Sequence, residues 1–78
     1  MSEIKMTRTP RGFLSGEFID HYGTDCSIQE SSLATERAIW LGPGRGMCWM
    51  HLTRDHVRAL LPLLQHFAET GELPEVSP

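Results

Sequence analysis

Residues 50–74, MHLTRDHVRALLPLLQHFAETGELP, change their hydrophobic period partway along, and that change decides the fold. Up to Leu52 the pattern alternates, with Cys48, Met50 and Leu52 on one side and Met47, Trp49 and His51 on the other, as in a strand. Beyond it, Val57, Leu60, Leu61, Leu64, Phe67 and Ala68 recur at helical spacing and form one apolar stripe, with Arg54, Arg58, Gln65 and Glu69 off it. Both ends of this helix are marked. Thr53 suits the N-cap and Asp55 the positive first turn, while Gly71 suits the left-handed position after the last turn and Pro74 blocks continuation. Pro62 has no N–H for the Arg58 carbonyl, so a bend is expected inside a single helix. Leu61 and Leu64 fall at the centre of the stripe, where the sequence predicts the tightest packing on the rest of the chain.

Working back from this helix, Ala38-Ile39-Trp40-Leu41 reads as a strand that turns through Gly42-Pro43-Gly44-Arg45-Gly46 into residues 47–52, making one hairpin. Residues 30–37, ESSLATER, are polar with one leucine and read as a loop. A second hairpin precedes them. In residues 13–19, Phe13, Ser15, Glu17 and Ile19 alternate with Leu14, Gly16 and Phe18. In the return strand, Asp25, Ser27 and Gln29 alternate with Cys26 and Ile28. The turn between them is Asp20-His21-Tyr22-Gly23-Thr24, where Gly23 supplies a positive φ and Asp20 bonds its own backbone. Residues 1–11 read as a loose arm whose end is free to pair with the sheet. The expected fold is α+β: one domain over 1–78, an antiparallel sheet of about four strands within 12–52, packed on a C-terminal helix at 53–71, and a tail at 72–78.

A chain of 78 residues encloses only one core, and 40% hydrophobic with 22% charged residues is a composition that folds. A domain this small buries only about 60% of its unfolded surface, so a homodimer would add stability that the single chain lacks. No apolar run approaches the roughly 18 residues of a membrane span, and the N-terminus has no apolar stretch of signal-peptide type, so a cytoplasmic location without membrane association is expected. Cys26 and Cys48 are then expected as free thiols in the core.

Four histidines and two cysteines raise the question of a metal. Cys48 and His51 have knuckle spacing, but His21 and Cys26 are set wider than zinc ligands usually are, and neither a metal nor a cofactor is expected. A nucleophilic site would need Cys26, His51 and Asp25 to converge from adjacent strands, and so short a chain has little room for a core and a substrate pocket together; the expectation is no enzyme and no catalytic residues. The Gly42–Gly46 loop lacks the Lys-Ser/Thr and the strand-to-helix setting of a phosphate loop and reads as a hairpin turn, with Arg45 at its tip as a contact point. Trp40 and Trp49 carry more. Every strand has large apolar groups on both sides and one helix covers one side, so a face with tryptophan, methionine and arginine remains for an interface.

TRTPRGF, GEFIDHYG, CSIQESSLATE, AIWLG and MHLTRDHVRALLPLLQHFAETGELP together resemble a family of small uncharacterised proteins carried by phages and prophages. In its longer members AIWLG leads into an insert, where this chain has only GPGRGMCW. Small phage-borne proteins of this size include anti-CRISPR inhibitors, which are mostly non-enzymatic binders. The resemblance implies a phage- or prophage-encoded anti-defence protein that blocks a host complex, such as a CRISPR surveillance complex, by occupying its surface. Trp40, Trp49, Arg45, Asp20, Asp25 and Glu30 are the expected contacts. The alternative is a small nucleic-acid or nucleotide binding module using Arg8, Arg11, Arg37, Arg45 and the tryptophans, against which a net charge of −3 weighs.

Overall fold

The chain forms five antiparallel strands in sequence order and one helix in the computed structural model, which describes residues 4–33, 35–44 and 48–75. They are β1 Lys5–Arg8, β2 Leu14–Ile19, β3 Asp25–Glu30, β4 Ala38–Pro43, β5 Met50–Thr53 and α1 Arg54–Thr70. The α+β class and the antiparallel sheet agree with the sequence pattern. One strand more is present than the four or so expected, because residues 5–8 are sheet and not arm: Lys5 pairs with Glu17 and Arg8 with Leu14.

The turn that makes this pairing follows from Thr9-Pro10-Arg11-Gly12. Gly12 takes φ 90° and donates to the Thr9 carbonyl at 2.8 Å, and the Thr9 hydroxyl accepts from the Phe13 amide at 3.0 Å. The next turn is built by Asp20, whose Oδ1 accepts from the amides of Tyr22 and Thr24, both at 2.9 Å, with Gly23 at φ 83°. Gly16 lets β1 sit close. A Cβ there would stand 2.7 Å from Met6 Sδ and 2.8 Å from Ile4 Cγ2.

Register separates the two faces of the sheet. Met6, Leu14, Gly16, Phe18, Cys26, Ile28, Ile39, Leu41, Met50 and Leu52 share one face, which is almost wholly apolar. Thr7, Ser15, Glu17, Ser27, Gln29, Trp40 and His51 share the other, which is polar and aromatic. This alternation leaves one side suited to dry packing and the other to water.

α1 begins without a loop. Thr53 closes β5 and is also the N-cap, accepting from the His56 amide while His56 Nδ1 accepts from the Thr53 amide at 3.1 Å. Gly71, at φ 81°, ends the helix and donates to the Phe67 carbonyl at 2.7 Å, and the helix is continuous through Pro62. Its neighbour in the sheet is β5.

Packing is where the sequence expectation is corrected. No residue of α1 is buried, and Leu61, Leu64 and Phe67, expected at the centre of a packed stripe, are 56%, 57% and 53% exposed. Met6, Leu14 and Met50 on the apolar sheet face are exposed as well. α1 follows β5 with no connecting residue, and its first turns, at Arg54, Val57 and Arg58, line a space shared with Ile39 and Leu52 of the sheet. Helices that fold onto their own sheet use connections of about 2–6 residues.

Both thiols are free, Cys26 half-buried on the apolar face and Cys48, expected in the core, exposed beside the β4–β5 turn. Alkylation of the native protein should therefore modify Cys48 well before Cys26, and denaturation without reductant should give two labels. A protein kept anaerobic that lacks both labels would show a disulfide.

Candidate functional site

The polar face gathers its rings where β4 and β5 meet. Trp40 lies directly opposite His51 in the register, and the two rings stack with centroids 3.8 Å apart at 11°. Trp49, two residues before His51, also stacks with Trp40, at 5.9 Å and 26°. Three rings thus form a continuous platform on the sheet surface. Trp49 and His51 are each held by a hydrogen bond. The indole Nε1 of Trp49 donates to Ser27 Oγ at 2.8 Å, and that hydroxyl donates to the Gly44 carbonyl at 2.9 Å. His51 Nε2 is 3.0 Å from Ser31 Oγ, with the direction of the bond set by the imidazole tautomer.

Ser27 is 4% exposed and is the one buried polar side chain among the described residues. Its oxygen is satisfied from both sides, as a buried hydroxyl must be. Gly42 makes room for this arrangement. A Cβ at that position would come within 2.9 Å of the Cys48 carbonyl oxygen and 3.2 Å of Trp49 Cα, both backbone atoms, so the tryptophan lies over bare main chain. Phe13 carries a further ring near the β1–β2 turn, with Arg11 Cζ 5.8 Å from its centroid.

The expected contact residues are not all brought together. Trp40 and Trp49 form the platform, half-buried and partly open. Asp25 lies on the same face at the start of β3, where its carbonyl accepts from the Gly44 amide at 2.8 Å. Asp20 is at the β2–β3 turn, where one of its carboxylate oxygens holds the loop. Glu30 is on the opposite face, paired in register with Ile39, and its Oε1 accepts from the Leu14 amide at 2.7 Å. Arg45 and Met47 lie outside the described residues. Sequence reasoning missed the parts played by His51, Ser27 and Ser31; the signal for His51 was its alternation with Trp49, and the register then sets it opposite Trp40.

The nucleophilic arrangement weighed for Cys26, His51 and Asp25 does not assemble. Cys26 projects to the apolar face and His51 to the polar one, and β4 separates their strands. Ser31 and His51 do make a hydroxyl–imidazole contact, but among the described residues no bonded carboxylate orients the other ring nitrogen, and stacking on Trp40 accounts for how the ring is held. No group of three His, Cys, Asp or Glu among the described residues is placed to hold a metal ion. Nor is any helix among them long and apolar enough to cross a membrane.

A groove of about 440 Å³ opens on the other side of the sheet, between the first turns of α1 and the ends of β3, β4 and β5. Ile39, Leu52 and Val57 form its floor, and Glu30, Arg37, Arg54 and Arg58 its rim. Arg58 is bound to Asp55 at 2.7 Å on the helix surface. No protein-family model, curated protein or solved structure matches the chain.

Ser27 and Gly42 are the test of how the platform is held. Ser27→Ala leaves the part-buried indole N–H of Trp49 without its acceptor and should lower stability by about 1–3 kcal/mol. Gly42→Ala should cost a similar amount, about 1–3 kcal/mol, by forcing a carbon against backbone. Urea unfolding followed by tryptophan emission reads both; midpoints equal to wild type would mean that Trp49 is not seated on Ser27 and Gly42.

Proposed function

We propose that this chain is a non-enzymatic binding protein that acts in the cytoplasm by covering part of a partner protein with the aromatic face of β4 and β5. The supporting observation is the stack of His51, Trp40 and Trp49: three rings fixed in place before any partner arrives, partly open and bordered by polar groups. Ordering such groups in advance removes an entropic cost from association, and tryptophan is enriched among the residues that dominate binding energy. Flat rings in this setting receive apolar, aromatic or arginine side chains. The resemblance to phage and prophage proteins supplies the class of partner, a host defence complex such as a CRISPR surveillance complex, blocked by surface occupation.

A second reading has its own observation. A ring platform on an open sheet face is also how single-stranded nucleic acid is held, by stacking of successive bases, and Lys5 and Arg11 lie toward the β1 side of the same face. Glu17 and Asp25 on that face, with a net charge of −3, weigh against a polyanion.

One pair of experiments separates them. Purified CRISPR surveillance complex should be captured by the tagged wild-type chain, and Trp40→Ala should weaken capture by about tenfold or more while costing only about 1 kcal/mol of stability. A fluorescent oligonucleotide should not bind. Oligonucleotide binding that falls steeply with salt and disappears in Trp40→Ala would replace the first reading with the second, and capture unaffected by Trp40→Ala would remove the aromatic face from the site.

A further inference from the structure

Two large apolar surfaces of this chain are left largely uncovered among the described residues. One is the sheet face carrying Phe18, Ile28, Ile39, Leu41 and Leu52; the other is the α1 stripe around Leu61 and Leu64. No hydrophobic side chain among the described residues is buried. A sheet face and a helix stripe are the complementary halves of a core, and here they are held apart. We propose that a second copy of the chain completes that core: in a two-fold symmetric dimer, α1 of each copy lies across the apolar sheet face of the other.

Surface area points to an occupant of that size. A compact chain of 8.8 kDa exposes about 4,800 Å². This one exposes 6750 Å², an excess of roughly 2,000 Å² per copy over that scaling. Two copies withdrawing such surfaces would bury roughly 4,000 Å² in total, within the range of obligate homodimers. The radius of gyration agrees, at 14.2 Å against the roughly 11.5 Å of a compact chain of this length.

Dimensions agree as well. The 17 residues of α1 span about 25 Å, enough to cross the roughly 19 Å between the outer strands of a five-stranded sheet. At 100° per residue, the positions from Leu63 through Leu60 and Leu64 to Leu61 sweep about 160° of the helix surface, wider than one neighbour needs. A sheet on one side and a second helix on the other would use the whole of it.

Fold-back onto the same chain, the competing way to cover these faces, is denied by the loop-free junction at Thr53.

Sedimentation equilibrium on the full chain tests this. The wild type should have twice the 8.8 kDa chain mass, with a urea midpoint that rises with protein concentration. Leu64→Glu should raise the dimer dissociation constant about tenfold or more, while His66→Glu, off the stripe, should leave it unchanged. Leu61→Glu, at the edge of the same stripe, should weaken the dimer likewise, and the concentration dependence of the wild-type urea midpoint decides the matter if these variants fail to fold. A wild type of single-chain mass with a concentration-independent midpoint overturns the proposal, as does an assembly larger than two. A dimer lost in Trp40→Glu but retained in Leu64→Glu overturns it too, since pairing would then run through the aromatic face.

Discussion

Thr53 closes β5 and opens α1 in a single residue, and most of the structure follows from that. Its backbone is the last of the strand, its hydroxyl accepts from the His56 amide, and His56 returns the bond. A capped junction of this kind leaves no slack. The helix axis is set by the strand, and a stripe of leucines that would otherwise pack on the nearest sheet is carried away from it. Neither apolar surface is a flaw of the sequence; each is well formed, and what the chain lacks is the length of backbone to bring them together.

The two faces of the sheet therefore do different work. On one, residues that gain most from leaving water remain partly in it: Ile28, Ile39, Leu41 and Leu52 are half-buried in the single chain, and Met50 is exposed. On the other, Trp40, Trp49 and His51 satisfy one another by stacking, and Ser27 seals the edge with two hydrogen bonds. The first face favours a permanent partner that supplies an apolar helix. The second is ordered already and suits a partner that comes and goes. If each helix covers the apolar face of the other copy, the aromatic faces stay outward, and a dimer would present two of them.

Much of this was legible in the sequence. The change from a period of two to a period of 3.6 near Leu52 placed the helix, and Thr53 and Gly71 marked its ends; the Asp20–Thr24 turn announced itself through the acceptor side chain and the glycine. β1 was legible but passed over, since Ile4 and Met6 alternate with Lys5 and Thr7, and Thr9-Pro10-Arg11-Gly12 has proline and glycine where a type I turn wants them. Cover was not legible. Helical spacing says that a stripe will be buried, not by which chain, and only the absence of connecting residues at Thr53 bears on that. For the candidate site, alternation put Trp49 and His51 on one face and only the strand register added Trp40 to it, whereas Glu30 was grouped with the tryptophans on charge and the pleat sent it to the other side. Ser27 could not have been singled out, because nothing local distinguishes a serine that receives a distant indole N–H from one that faces water.

The loop-free junction is open to direct intervention. Inserting a short flexible segment, Gly-Ser-Gly-Ser, between Leu52 and Thr53 keeps the cap of α1 and supplies the slack that the chain lacks, so that the helix can fold back onto its own sheet. The decisive measurement is the mass of this variant by sedimentation equilibrium beside the wild type. The expected result is a shift from twice the chain mass to a single folded chain whose unfolding midpoint no longer depends on concentration. A variant with the same mass as the wild type would contradict the claim that the junction at Thr53 is what keeps the two apolar surfaces apart.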